Sequence, residues 1–156
     1  MFDIVTKKDP ELITSAKQLG YSEIFTLSDF NVAIGGWEKN RVILTDKNIE
    51  VLLNPHSGVK KDNLHFRQGG LNQVLCKLAN KNNIIIAFSL DALRNKNDLG
   101  RVMANIKLCK KFNVKVLIIS LAKTKFELRS ANDLTAFGRT LGIEKKMWPT
   151  KKIKRK

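Results

Sequence analysis

The sequence predicts an α/β fold built on a parallel sheet. Apolar runs alternate along the chain with amphipathic segments, and the connections between them are short, which is typical of βα units. Residues 84–90 and 114–119 are continuously apolar, as in strands covered on both faces. We count about six or seven strands. The 156 residues fall well below the ~250 of a complete eightfold barrel. The sheet therefore either closes into a compact barrel with few helices or stays open.

The first third of the chain begins with a predicted strand over residues 2–5. Asp9 is a suitable N-cap and Pro10 a suitable first residue for the helix that follows. Further strands are predicted in three segments: residues 23–27, 31–34 and 49–53. Residues 37–48 are compatible with either a short helix or a turn.

The second half repeats the alternation. A helix over residues 70–79 places an apolar face at helical spacing, formed by Leu71, Val74, Leu75, Leu78 and Ala79. The strand over 84–90, a helix carrying Cys109 and the strand over 114–119 come next. Ser130 and Asp133 have the spacing of a capping box at the start of the last helix.

The domain organisation is simple. No repeat or linker divides the chain, so we predict one domain over residues 1–144. Residues 145–156 hold seven Lys/Arg and are predicted to form a solvated basic tail.

Composition excludes several classes of protein. No apolar run reaches the ~20 residues of a membrane helix, and the first residues do not resemble a signal peptide. Cys76 and Cys109 lie in helical patterns and are predicted to be core thiols rather than a disulfide. These features favour a cytoplasmic protein that does not contact membranes.

Charge is divided unevenly between the two parts of the chain. Residues 1–58 carry a net charge of −2 and residues 59–156 a net charge of +17. A charge needed only for solubility would be spread along the sequence. The division therefore predicts a polyanionic partner, most simply a nucleic acid.

Motifs for catalysis are lacking. Two histidines, His56 and His65, are too few for a metal site built on histidine, and no serine nucleophile motif or phosphate-binding glycine motif occurs. Gly69-Gly70 could present backbone N–H groups to a phosphate, which is a weak signal. We predict no catalytic residue, no metal site and no cofactor bound by the chain itself.

Basic loops follow three of the predicted strands. In a parallel sheet such loops open on the same side, where binding sites form. We therefore predict an RNA-binding surface, and we add two polar residues of the first segment, His65 and Asn72. The complete predicted set is Lys60, Lys61, His65, Arg67, Asn72, Arg94, Lys96, Lys123, Lys125 and Arg129. Phe66 and Phe126 lie among these residues and could stack on unpaired bases, although Phe126 could equally be a core residue.

Two segments resemble one known family. The strand at 49–53, the loop to Gly70 and the run Leu71-Asn72-Gln73-Val74-Leu75-Cys76-Lys77-Leu78 are similar to a strand, loop and helix of ribonuclease P protein component 3, from archaea and eukaryotes. Ser120-x-Ala122, Leu128-Arg129-Ser130 and Asp133-Leu134 resemble its last conserved block. The match covers residues 49–143 well and the first 27 residues loosely.

The resemblance implies a TIM-barrel-like fold, related to the histidinol phosphatase-type hydrolases but without their metal-binding histidines. It implies a subunit of ribonuclease P, which removes the 5′ leader of precursor tRNA. There the RNA cleaves the phosphodiester with bound Mg²⁺, and this subunit pairs with a smaller protein subunit. The precursor tRNA would be an indirect partner of this chain.

One departure from the family leaves part of the prediction open. The chain is shorter than typical members by about one βα unit between residues 28 and 48, so barrel closure is not settled by the sequence. Two other functions also remain possible: a stand-alone RNA-binding protein, or a metal-dependent phosphoesterase with the same kind of barrel.

Overall fold

The computed structural model of the chain describes residues 1–59, 62, 68–93 and 96–149. Within them the predicted alternation of strands and helices is confirmed. The strands are β1 (Phe2–Val5), β2 (Glu23–Thr26), β3 (Val32–Ile34), β4 (Val51–Leu53), β5 (Ile85–Ser89) and β6 (Val116–Ile119). The helices are α1 (Pro10–Gln18), α2 (Asn40–Thr45), α3 (Gln73–Lys81), α4 (Lys96–Lys111) and α5 (Ala131–Thr140).

All paired strands run parallel. They form one ladder of β1 and β2 and a second ladder in the order β3-β4-β5-β6. Two backbone hydrogen bonds join the ladders where β1 and β6 end: Leu121 N to Ile4 O and Thr6 N to Ala122 O, both 3.0 Å. The spatial order is therefore β2-β1-β6-β5-β4-β3. Each loop that follows a strand consequently opens at the same end of the sheet.

The sheet buries apolar side chains on both faces, as the continuous apolar strands predict. One face packs against the helices, and its core includes Leu52, Ile86, Ile118 and the helical residue Ile106. The alternate residues of the same strands form a second core on the other face. That second core consists of Ile4, Phe30, Val51, Leu53, Ile85, Ala87, Leu117 and Ile119.

The predicted starts of α1 and α5 are confirmed, whereas the helix predicted over residues 70–79 spans Gln73–Lys81. Asp9 caps α1 by accepting a hydrogen bond from Leu12 N at 2.8 Å, and Ser130 caps α5 by accepting one from Asp133 N at 3.0 Å. The ambiguous segment 37–48 contains the short helix α2. Val74 was predicted to be buried but is 65% exposed. The prediction was wrong because the buried face of α3 is formed by Leu75, Cys76 and Ala79, and at about 100° per residue Val74 lies on the opposite side of the helix from Cys76.

Both cysteines are free and buried, one on α3 and one on α4, so the prediction of core thiols is confirmed. No helix among the described residues combines the length and apolar character needed to cross a bilayer.

The segment after residue 144 packs more closely than a solvated tail. Met147 is buried, and the ring of Trp148 lies against Gly138 on α5, where an added Cβ would be only 2.8 Å from it. These two side chains therefore pack against the domain predicted to end at residue 144. Residues 150–156 lie outside the described residues, and the boundary after residue 144 stays a prediction.

Candidate nucleic-acid interface

The connection between β6 and α5, residues 120–130, is named here the β6–α5 turn. Its first residue, Ser120, is buried. The Ser120 N–H donates to the Asp3 carboxylate at 2.9 Å, and its Oγ accepts from Ala122 N at 3.1 Å. Ser120 therefore ends the strand as a polar terminus and joins β6 to β1.

Backbone and side-chain hydrogen bonds fix the rest of the β6–α5 turn. The Glu127 carboxylate accepts from Lys123 N at 2.7 Å, and Glu127 N donates to Thr124 O at 3.1 Å. The Arg129 guanidinium donates to two backbone carbonyls, Phe126 O at 3.3 Å and Leu128 O at 3.2 Å. Leu128 is buried beneath the turn.

Three predicted RNA-binding cations lie together on this turn. Lys123, Lys125 and Arg129 are all exposed. Lys125 forms an ion pair with Glu11 of α1 at 3.2 Å. Phe126, between the lysines and the arginine, is 81% exposed, so the alternative of a core residue is excluded.

Asn72 has a structural role in addition to the predicted one. Its side-chain oxygen accepts from Leu75 N at 2.9 Å and caps α3. A β-region N-cap of this kind supplies one of the acceptors that the first turn of a helix lacks. Asn72 is nevertheless exposed, and its contact with RNA stays a prediction.

The connection between β4 and α3, residues 54–72, is named here the β4–α3 connection, and buried asparagines hold its ends. The Asn40 amide donates to Pro55 O at 2.7 Å and to Gly70 O at 2.8 Å, while its oxygen accepts from Gly36 N at 2.9 Å. Asn105 of α4 donates to Gly69 O. The connection is thereby tied to α2 at both ends and to α4 at the end next to α3.

Close packing requires glycine at both residue 69 and residue 70. Gly70 has φ of +87°, and a Cβ there would collide with the Pro55 carbonyl. A Cβ at Gly69 would collide with the Asn105 side chain. Both positions therefore need glycine for the fold, whatever else the connection binds.

Arg101 is a cation that the sequence interpretation missed. It lies on α4, is only 7% exposed, and its guanidinium bonds Asp62 at 3.2 Å and Asp98 at 3.1 Å. Arg101 thus ties the middle of the β4–α3 connection to α4. The only sequence signal was the spacing of three residues between Asp98 and Arg101, which places them on one helical face.

A polar cavity of about 340 Å³ lies beside this ion-pair cluster. It is lined by His56, Ser57, Gly58, Val59, Ala92, Asn97, Asp98 and Arg101. His56 is buried, its Nε2 lies 3.4 Å from Ala92 O, and burial lowers its pKa below the ordinary value. Among the residues that the structure describes, no three His, Cys, Asp or Glu side chains are grouped as a metal site would require.

A further cation at this end of the sheet is Lys8, which follows β1. Its ammonium bonds the Asp29 carboxylate at 2.7 Å, and this bond holds the pKa of Asp29 below the ordinary value. Lys8 is therefore partly neutralised, in contrast to Lys123.

The remaining predicted site residues cannot be placed. Lys60, Lys61, His65, Arg67 and Arg94 lie outside the described residues, as does the side chain of Lys96. Of the eight Lys and Arg residues in the predicted set, the structure therefore places three together, on the β6–α5 turn. That all eight lie on one surface stays a prediction.

Comparison with known proteins identifies relatives in archaea. The chain is 30% identical over 112 residues to "Ribonuclease P protein component 3" of Methanococcoides burtonii, an alignment that covers 68% of this chain and 43% of that protein. It is 29% identical over 147 residues to the protein of the same name from Thermococcus kodakarensis, covering 90% of this chain and 60% of that protein. The predicted resemblance is thereby confirmed. No family model matches the chain.

The fold has a counterpart of known structure. A chain in a cryo-EM structure of archaeal ribonuclease P with mature tRNA superposes with a TM-score of 0.75 at 21% identity. The superposition covers 91% of this chain and 83% of that chain. In sequence, by contrast, this chain spans only about half the length of the curated relatives that it matches.

Proposed function

We propose that this chain, a homologue of ribonuclease P protein component 3, is the corresponding protein subunit of ribonuclease P and supports removal of the 5′ leader from precursor tRNA. The observation that carries the proposal is the sequence relationship, which extends over 112 residues at 30% identity. The parallel α/β fold supports it independently, since that fold recurs in an archaeal ribonuclease P complex.

The fold itself is proposed to be an incomplete TIM-barrel-like structure of the histidinol phosphatase type. Three features support this. The paired strands are all parallel, and apolar cores cover both faces of the sheet. Around the sheet β3, β4, β5 and β6 follow one another in chain order, and β1 lies between β6 and β2. In the described residues β2 and β3 share no ladder, which leaves the ring open at that point.

Phosphodiester cleavage is assigned to the RNA component with its Mg²⁺, and the chain contributes binding. Its part is to hold RNA against the loops that follow the strands, where exposed Lys123, Lys125 and Arg129 supply positive charge. A smaller protein subunit is the proposed protein partner, and the proposed location is the cytoplasm.

Reconstitution tests this function. Ribonuclease P RNA and the other protein subunits are assayed on precursor tRNA with and without this chain, and we expect the chain to raise the rate of leader removal. The chain alone should cleave neither precursor tRNA nor a generic phosphodiester. Metal-dependent turnover by the purified chain, lost on substitution of His56 or His65, would instead identify a phosphoesterase.

A further inference from the structure

We propose that Phe126 is a stacking platform for one unpaired nucleobase, framed by the cations of the β6–α5 turn. The inference rests on the proposed function, because it names the part of the RNA that this turn binds: a single-stranded segment rather than a duplex.

The first observation is the exposure of the ring. Phe126 is 81% exposed, more than any other large apolar side chain described in the structure. Leaving a phenylalanine in water forfeits the ~1.5–3 kcal/mol that its burial would contribute. Single exposed apolar residues are ordinary on protein surfaces, so exposure alone does not assign a site.

The second observation is that the turn holds the ring on a fixed backbone. The Phe126 carbonyl accepts from the Arg129 guanidinium, and the next side chain but one, Leu128, is buried. The far end of the turn is anchored to the segment that follows α1, since Tyr21 Oη donates to Arg129 O at 2.7 Å and Ala131 N, at the start of α5, donates to Leu19 O at 2.9 Å. A base that stacks on Phe126 therefore needs little ordering of the protein.

The third observation is the charge around the ring. The Lys125 ammonium lies 5.4 Å from the ring centroid, and Lys123 and Arg129 are exposed on the same turn. Two acids lie nearby: Glu127 on the turn accepts the Lys123 N–H, and Glu11 of α1 pairs with the Lys125 ammonium at 3.2 Å. Among the described residues, this leaves Lys123 and Arg129 as the cations of the turn whose side chains have no acidic partner. Cations beside an exposed aromatic ring are the arrangement with which proteins bind single strands, where the cations hold phosphates and the ring stacks on a base.

The same surroundings argue against a protein partner at this point. The centre of a protein–protein interface is depleted of lysine, because burying an ammonium is costly. Phe126 has a lysine as its immediate neighbour and another three positions before it. With RNA as the partner, the lysine ammonium groups stay in water beside the phosphates while a base covers the Phe126 ring.

Binding measurements with the full chain test the proposal. The probes are a short single-stranded oligouridylate and a duplex of poly(A) with poly(U), at one salt concentration. Phe126→Ala should weaken binding of the single strand by about tenfold, as expected for one lost stacking contact, and should change binding of the duplex by less than twofold. Phe126→Tyr should restore single-strand binding, whereas Phe126→Leu should not.

A fluorescence measurement uses a different signal. Phe126→Trp adds an indole at the platform, and oligouridylate should quench this added emission beyond the change that the wild-type protein shows. Val74→Ala is the matched control, since Val74 is 65% exposed on α3 and its truncation should leave both affinities unchanged.

The outcomes separate this inference from the proposed function. Equal binding by wild type and Phe126→Ala, or rescue by leucine as complete as by tyrosine, would overturn the stacking platform while leaving the subunit role intact. Normal RNA binding by Phe126→Ala together with a failure to stimulate the reconstituted enzyme would overturn it in favour of a protein contact. A wild-type chain that binds no RNA and gives no stimulation would contradict both.

Discussion

The β4–α3 connection and the β6–α5 turn both follow buried strands, yet their described residues differ in how far the fold engages them. In the β4–α3 connection the described polar groups are largely engaged by the fold, through Asn40, Asn105 and Arg101. In the β6–α5 turn, bonds to β1 and to the segment after α1 hold the two ends of the backbone, and Lys123 between them remains exposed. Burial therefore decides which polar residues at this end of the sheet are available to a ligand.

The largest effect expected from this comparison is loss of stability in Asn40→Ala. The substitution removes three hydrogen bonds and leaves Gly36 N, Pro55 O and Gly70 O without that partner. We expect the free energy of unfolding to fall by about 3 kcal/mol. Denaturant titration measures it, with the exposed Asn48→Ala as control. If the two variants unfold at the same midpoint concentration of denaturant, Asn40 does not hold the β4–α3 connection.

A smaller loss is expected for Arg101→Ala. Two carboxylates would lose a nearly buried partner, but both are partly exposed and water can solvate them, so the cost should be about 2 kcal/mol. Lys107→Ala on the same helix removes an exposed cation and should cost less than about 0.5 kcal/mol. If the two variants unfold at the same denaturant concentration, Arg101 is an ordinary surface cation.

Asp3 at the junction of β1 and β6 should make stability depend on pH. Burial raises the pKa of its carboxyl above the ordinary 3.8, and one oxygen has no hydrogen-bond partner in the structure. Because the folded state favours the protonated form, the contribution of Asp3 to wild-type stability should decrease as the pH rises from 3.8 through the raised pKa. Asp3→Asn has no ionisable group at this position and should lack this pH-dependent contribution to stability.

Denaturant titrations of both proteins across this range isolate the effect of Asp3, because all other groups are shared. We expect Asp3→Asn to gain stability relative to wild type as the pH rises. A difference between the two proteins that does not change with pH would mean that the pKa of Asp3 is the same in the folded and unfolded states.

The smallest effect on folding is expected for Arg129→Ala. Its two bonds to carbonyls of an exposed turn should contribute about 0.5 kcal/mol. Its main effect should be on RNA, where the slope of log affinity against log salt concentration should flatten by about one phosphate contact. An unchanged slope accompanied by a large loss of stability would assign Arg129 to the fold alone.

Much of the fold could be predicted because local chemistry specifies it. Asp9 and Ser130 cap helices as their positions indicate, and the continuous apolar strands are covered on both faces. The start of α3 was predicted about three residues too early, because Leu71 and Val74 fit one helical stripe, although Leu71 precedes the helix and Val74 is exposed. The burial of Met147 was not predicted, because the residue lies in a lysine-rich segment that has no periodic apolar pattern.

The candidate site was predicted only in part. The sequence gives no sign of whether the fold will bury a basic residue, as Arg101 of α4 illustrates: its partner Asp62 is 39 residues away in the chain. Likewise the sequence did not decide whether the side chain of Phe126 is buried or exposed, since a single aromatic residue in a loop belongs to no periodic pattern. Both answers depend on tertiary contacts.

The most direct test of the account is a charge reversal on the β6–α5 turn in the reconstituted enzyme. Lys123→Glu, Lys125→Glu and Arg129→Glu are combined, and the matched control combines Lys47→Glu, Lys81→Glu and Lys107→Glu, which changes the net charge equally at exposed positions outside the turn. We predict that the first variant loses stimulation of precursor-tRNA processing and keeps its circular dichroism spectrum, while the control stimulates like wild type. Equal activity of the two variants, or a loss confined to the control, would contradict the assignment of RNA binding to this turn.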